Sequence, residues 1–263
     1  MPALYDQFFL FGDSITQDSF NQERGSGFAA ALQHAYIRRL DVINRGFSGY
    51  NTEQALKVLP TILPSPEEAR IRFLMIFFGA NDAASPQTEN NQHIPLDEYK
   101  KNLEKIVTHP LVAAHKTRII IVAPPPINEH LQWISDKQKG LLEVSRLAAN
   151  TKAYADAACE VGIKLKVPVV NLWKAFMSEA KWNAAAWKND DSLPGSLDLA
   201  QNDALVELMY DGLHFSPSGY TILLEEMMKV IAAEWPEQLP QKLPTVLPIW
   251  NDTEAWTAFE KST

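Results

Sequence analysis

The sequence has a single cysteine, Cys159, among 263 residues. No intrachain disulfide can form, so a small secreted scaffold held by disulfides is excluded. Long apolar runs are missing too. The longest, Phe73 to Phe78 and Ile119 to Ala123, fall far short of the roughly 20 residues needed to cross a bilayer. Positive charge is in deficit, with 24 Lys and Arg against 32 Asp and Glu for a net charge of −8. That balance argues against a nucleic-acid surface, which needs clustered cations to displace counterions. There is no internal repeat and no low-complexity segment. A leader peptide is not expected either, because the first apolar run, Phe8 to Phe11, passes straight into a charged turn. These absences point to a cytoplasmic protein with small or neutral partners, in which the sequon Asn251-Asp252-Thr253 goes unglycosylated.

What remains is an ordinary globular composition, 46% apolar and 21% charged. Phe8-Phe9-Leu10-Phe11, Val42-Ile43, Phe73 to Phe78, Ile119 to Val122 and Val169-Val170 are continuous apolar runs, as expected of strands buried on both faces. Helical patterns lie between them, near Phe28 to Arg39, Glu53 to Leu63, Leu96 to Val107 and Lys137 to Val161, the last with Gly162 as a stop signal. Strands alternating with helices imply right-handed crossovers and a parallel sheet covered on both sides. The expected fold is therefore α/β, a flavodoxin-like three-layer sandwich with a five-stranded parallel sheet. Ser216-Pro217 reads as a cap and first helical position, opening a helix that runs to Trp235. Beyond it Pro236, Pro240, Pro244 and Pro248 recur every four residues, which favours an extended arm. Asp252 then caps a short helix carrying Trp256 and Phe259. Residues 1–235 read as one domain and 236–263 as an arm, able to pack on its own domain or to join a second copy in a homodimer. The stretch from Asn183 to Leu208, polar at Asn189-Asp190-Asp191-Ser192 and broken at Pro194-Gly195, reads as a long excursion and a candidate lid.

In an open parallel sheet, ligands bind beyond the carboxyl ends of the strands. The loops there carry Gly12-Asp13-Ser14-Ile15-Thr16, then Arg45 to Tyr50, then Gly79-Ala80-Asn81-Asp82, and finally Asp211-Gly212-Leu213-His214. The inventory suits acyl transfer. A serine hydroxyl needs a base to take its proton, and an imidazole, with an ordinary pKa near ~6.5, suits His214 to that task for Ser14. Asp211, three residues earlier, can fold back to hold the ring. The backbone N–H groups of Ser14 and Gly49 and the side chain of Asn81 can supply oxyanion donors.

Plainer readings compete. Ser14 could cap the following helix, Gly49 could serve only its turn, and Asn81 could bond locally. Asp13 and Asp82 read as loop organisers. His34, His93, His109, His115 and His130 have no comparable acidic neighbour in sequence, and Cys159 reads as a small core residue.

The four ordered blocks resemble those of the SGNH, or GDSL, hydrolases. Ile15 stands where leucine is usual. The longer runs, Arg45 to Tyr50, Phe78 to Ala83 and Asp211 to Tyr220, resemble most the isoamyl acetate-hydrolysing esterase branch. The likeness spans Phe8 to Trp235, with 183–208 longer than that branch usually carries. It implies the SGNH fold, a triad of Ser14, Asp211 and His214, an oxyanion hole of Ser14, Gly49 and Asn81, no cofactor and no metal. It also implies a small-molecule substrate, an acetate or other short-chain ester of a small alcohol. A thioesterase, lysophospholipase or carbohydrate acetylesterase could use the same machinery. A metal-dependent phosphohydrolase built on Asp13, Asp82, Asp211 and His214, or a catalytically silent binding module, are the readings outside acyl transfer. The α/β-hydrolase fold is disfavoured, since its nucleophile sits mid-chain in Gly-x-Ser-x-Gly.

Overall fold

The computed structural model describes residues 3–88, 91–188 and 191–262. Asn189 and Asp190 of the polar run and Thr263 of the arm thus lie outside the described residues. Five parallel strands, β1 (Asp6–Gly12), β2 (Leu40–Gly46), β3 (Ile71–Phe77), β4 (Arg118–Val122) and β5 (Val169–Val170), form one sheet in the order β2-β1-β3-β4-β5. This is the flavodoxin-like order, and its reversal on either side of β1 opens a crevice at the carboxyl ends of β1 and β3. The central strands are apolar on both faces because both are covered. Phe8 to Phe11 and Phe73 to Phe77 are at most 1% exposed.

Helices α1 (Ser14–Gln17) and α2 (Phe28–Ala35) follow β1, and α3 (Thr52–Ile62) follows β2. Next come α4 (Leu96–Val107), α5 (Pro110–Ala114), α6 (Glu129–Gln138), α7 (Ala148–Leu165), α8 (Leu172–Glu179), α9 (Asp203–Leu208), α10 (Pro217–Glu234) and α11 (Thr253–Ser262). Helices α3, α4 and α7 pack together as one outer layer, while α2, α10 and α8 form the other. Local chemistry sets their starts. Asn51 and Gln54 make a reciprocal capping box on α3, Asn128 caps α6, and Ser216 caps α10 with Pro217 at its first position.

Two expectations are corrected. The helix expected over Lys137 to Val161 is two helices: α6 ends at Gln138, Gly140 turns the chain at φ 81°, and residues 139–147 form a loop before α7. Gly162 does not stop α7, which runs to Leu165 and ends on Lys166 at φ 56°. Gly162 instead lets α7 approach β5, since a Cβ there would lie 2.1 Å from Val169 Cγ2.

The arm returns along the amino ends of the strands. Gln238 is buried, its carbonyl accepts from Tyr36 Oη at 3.0 Å, and its side chain accepts from Arg72 Nη1 at 3.0 Å. Arg39 Nε donates to the Leu243 carbonyl at 2.9 Å, and Arg38 Nη2 donates to that of Pro248 at 2.8 Å. Asp252 Oδ1 accepts from Ala255 N at 2.9 Å at the start of α11, on which Trp256 and Phe259 meet edge to face.

Candidate active site

At the carboxyl end of β1 the chain turns straight into α1. Asp13, not Ser14, caps that helix, with Oδ1 accepting from Ile15 N at 2.9 Å. The hydroxyl of Ser14 is thereby left to its long-range partner, and its Oγ lies 2.8 Å from His214 Nε2. The other ring nitrogen, Nδ1, lies 2.7 Å from Asp211 Oδ2, while Asp211 Oδ1 accepts the backbone N–H groups of Leu213 and His214. Burial alone would raise the Asp211 carboxyl, but the His214 ring and these N–H donors hold it below the usual carboxylate range. Asp211 therefore faces the imidazole as a carboxylate. Behind the imidazole, Tyr210 stacks on the ring with centroids 5.8 Å apart, and the Arg24 guanidinium covers the tyrosine's face at 3.8 Å.

Gly49 and Asn81 reach the same rim. Gly49 sits at φ 82°, a left-handed conformation that suits glycine, in a turn where Tyr50 N donates to the Phe47 carbonyl at 3.1 Å. Asn81, 3% exposed, donates through Nδ2 to the Tyr50 carbonyl at 2.9 Å, so the loops after β2 and β3 are tied together. A second tie joins them, from Thr52 N and Oγ1 to Asp82 Oδ1. Asp13 and Asp82 are both buried, which pushes their carboxyls up to about 6 and about 7. They organise their loops through backbone N–H groups. Ser14, Gly49, Asn81, Asp211 and His214 all line one cavity of about 270 Å³.

Sequence reasoning missed one wall of that cavity. The loop after α6 was expected to be helix, yet Lys139, Leu141, Ser145 and Arg146 line the space, together with Gln132 and Ser135 of α6 and Gln92. Arg146, only 6% exposed, donates to Asn81 Oδ1 at 2.8 Å, to Gln92 Oε1 at 2.9 Å and to the Ala80 carbonyl at 2.8 Å. The one local signal for this wall was Gly140, a turn residue inside an otherwise helical pattern. Among the described residues, none from 183 to 208 lines the cavity. That excursion instead braces α6 from behind: Glu129 N donates to the Gly195 carbonyl, and the His130 ring meets the Ser196 and Leu199 carbonyls. Other histidines also serve the backbone, His93 beside the Ala84 carbonyl and His115 beside that of Pro64. Among the described residues, no group of three or more His, Cys, Asp or Glu side chains is arranged to hold a metal ion, and no helix is long and apolar enough to cross a membrane.

Residues 10–222 match the model of the GDSL-like lipase/acylhydrolase family. The chain belongs to that family. Among its relatives is the isoamyl acetate-hydrolyzing esterase of Saccharomyces cerevisiae, 35% identical over 94% of this chain and 95% of its own. A GDSL esterase/lipase of Arabidopsis thaliana is 34% identical over 89% of this chain and 90% of its own. The same architecture recurs in the crystal structure of the lipase/acylhydrolase from Enterococcus faecalis, with a TM-score of 0.58, 24% identity, and coverage of 91% of this chain and 98% of that one. This GDSL family member is a carboxylic ester hydrolase.

Proposed function

We propose that the enzyme hydrolyses acetate and other short acyl esters of small alcohols through an acyl-serine intermediate. The observation that carries this reading is the continuous chain from Asp211 to His214 to Ser14, with contacts of 2.7 and 2.8 Å. Ser14 Oγ attacks the ester carbonyl while His214 Nε2 takes its proton. The imidazolium then protonates the departing alkoxide, and Asp211 stabilises it throughout. The Ser14 N–H, one of the orphan donors opening α1, joins the Gly49 N–H and Asn81 Nδ2 around the developing oxyanion. Water, deprotonated by His214, releases the acid and restores Ser14. The likeness to an isoamyl acetate-hydrolyzing esterase supports acetate as the acyl group. No step draws on a cofactor.

The deciding experiment is covalent labelling with an alkyl phosphonate, read by intact mass. One adduct per chain, lost in Ser14→Ala, is expected; equal labelling of that variant would remove Ser14 as nucleophile. A second reading has its own support. The wall facing the triad carries Gln92, Gln132, Ser135 and Lys139 beside Leu141, side chains that can hydrogen-bond the hydroxyls of an acetylated polyol or sugar. Comparing isoamyl acetate with acetylated polyols, by kcat/KM, decides between them: preference for the polyol esters favours the second reading, and preference for isoamyl acetate the first.

A further inference from the structure

We propose that Arg146 is the positioning residue of the oxyanion hole, setting both Asn81 and the Gly49 turn from one buried guanidinium. The inference rests on the oxyanion reading given above. Arginine has only donors, so the Asn81 atom facing it is the carbonyl oxygen, held at 2.8 Å. That contact turns Nδ2 the other way. One of its hydrogens goes to the Tyr50 carbonyl at 2.9 Å, and the second is left for the cavity that Asn81 lines with Ser14. The same Nη2 donates to Gln92 Oε1 at 2.9 Å, which fixes that carboxamide in turn and directs Gln92 Nε2 to the Gly49 carbonyl at 3.1 Å. Nε donates to the Ala80 carbonyl at 2.8 Å, so the backbone before Asn81 is held as well.

The surroundings of the guanidinium argue for more than a packing role. Burial holds Arg146 below the usual arginine range, and Asp136, Asp13 and Asp211 offset this only through longer-range attraction. Its hydrogen-bond acceptors are neutral: two carboxamide oxygens, a backbone carbonyl and, at 3.5 Å, Ser145 Oγ. A buried cation is costly unless paired, and one held by neutral acceptors in the wall of the cavity that Ser14 also lines is poised to gain when negative charge forms there. A charged donor on Oδ1 also polarises the Asn81 amide and strengthens its N–H as a donor. Lysine, a point charge without the planar fork, cannot hold Ala80, Asn81 and Gln92 in the same geometry.

The test is a double-mutant cycle on a short-chain acetate ester, with folding followed by thermal denaturation. Asn81→Ala is expected to lower kcat by about 10²–10³-fold. Arg146→Lys is expected to lower kcat by about 10–100-fold with KM shifted by less than ~3-fold, and to cost at least ~3-fold less in the Asn81→Ala background than in the parent, the remainder being the share that passes through Gln92 to Gly49. Unchanged kcat in Asn81→Ala would defeat the oxyanion reading itself. A loss in Asn81→Ala, with either full kcat in Arg146→Lys or losses that multiply, would overturn only the positioning role. Gln92→Met adds no charge to the cavity, leaves the guanidinium its Asn81 and Ala80 acceptors, and removes both the acceptor for Arg146 and the donor to the Gly49 carbonyl. If Arg146→Lys does not fold, this variant decides: a kcat lowered at least ~5-fold supports the proposal, and unchanged kcat overturns it.

Discussion

At the scale of single residues, the site rests on buried polar groups whose roles divide by environment. Asp211 keeps its charge because the His214 ring and two backbone N–H groups compensate its burial. Asp13 and Asp82, fully enclosed and less well compensated, hold their protons up to about pH 6 and 7. For a carboxyl raised in this way, the folded chain binds more protons than the unfolded one between the two pKa values, so stability falls as pH rises through that window. The window for Asp82 runs from 3.8 to about 7. Asp82→Asn retains an acceptor for Thr52 and removes the titration. Its stability relative to the parent is expected to improve by up to ~1.4 kcal/mol per pH unit between about pH 4 and 7, then to level off. Denaturant midpoints of both proteins across that range check it; a constant difference would show that Asp82 titrates alike in both states. The same scale explains what was legible beforehand. Ser14, Gly49, Asn81, Asp211 and His214 stood out because each belongs to a short local pattern, whereas Arg146 acts across 65 residues of sequence and carries no local mark.

At the scale of elements, strands were easier to read than helix ends. Phe8 to Phe11 and Phe73 to Phe77 are buried on both faces, and a short apolar run with no polar alternation suits a covered central strand. Lys137 to Val161 misled because its small and apolar residues keep helical spacing through a stretch where the backbone turns at Gly140. Gly162 misled for a different reason: glycine marks helix ends and close approaches alike, and only the packing of α7 on β5 separates the two. The contact makes a clear expectation. Gly162→Ala should cost about 1–3 kcal/mol, as overpacking does, and Val169→Ala in the same chain should recover part of it, because the added methyl lies 2.1 Å from Val169 Cγ2. Thermal midpoints of the two variants measure this, and strictly additive losses would count against the clash.

At the scale of the whole molecule, the two ends of the sheet do different work. The carboxyl ends of β1, β2 and β3 lead into the loops of the cavity, while the amino ends meet the arm through Tyr36, Arg39 and Arg72. Ending the chain at Trp235 should therefore lower the thermal midpoint by several degrees, at roughly 2–4 °C per kcal/mol lost. Ester turnover per folded molecule should stay within ~2-fold of the parent. A collapse of turnover at temperatures where the truncated protein remains folded would mean that the arm serves the site as well.

The bond between Ser14 and His214 spans 200 positions of sequence, and Tyr220 of α10 closes the same loop by donating to the Ile15 carbonyl at 2.8 Å. During synthesis Ser14 is made 200 residues before His214. On the proposed mechanism, a ribosome-bound chain stalled before residue 214 has the serine but not the imidazole that activates it, and it stays silent until His214 has cleared the exit tunnel. Turnover is then a clock for completion of the fold, and its first appearance on a nascent chain times the docking of α10 onto the first strand's turn.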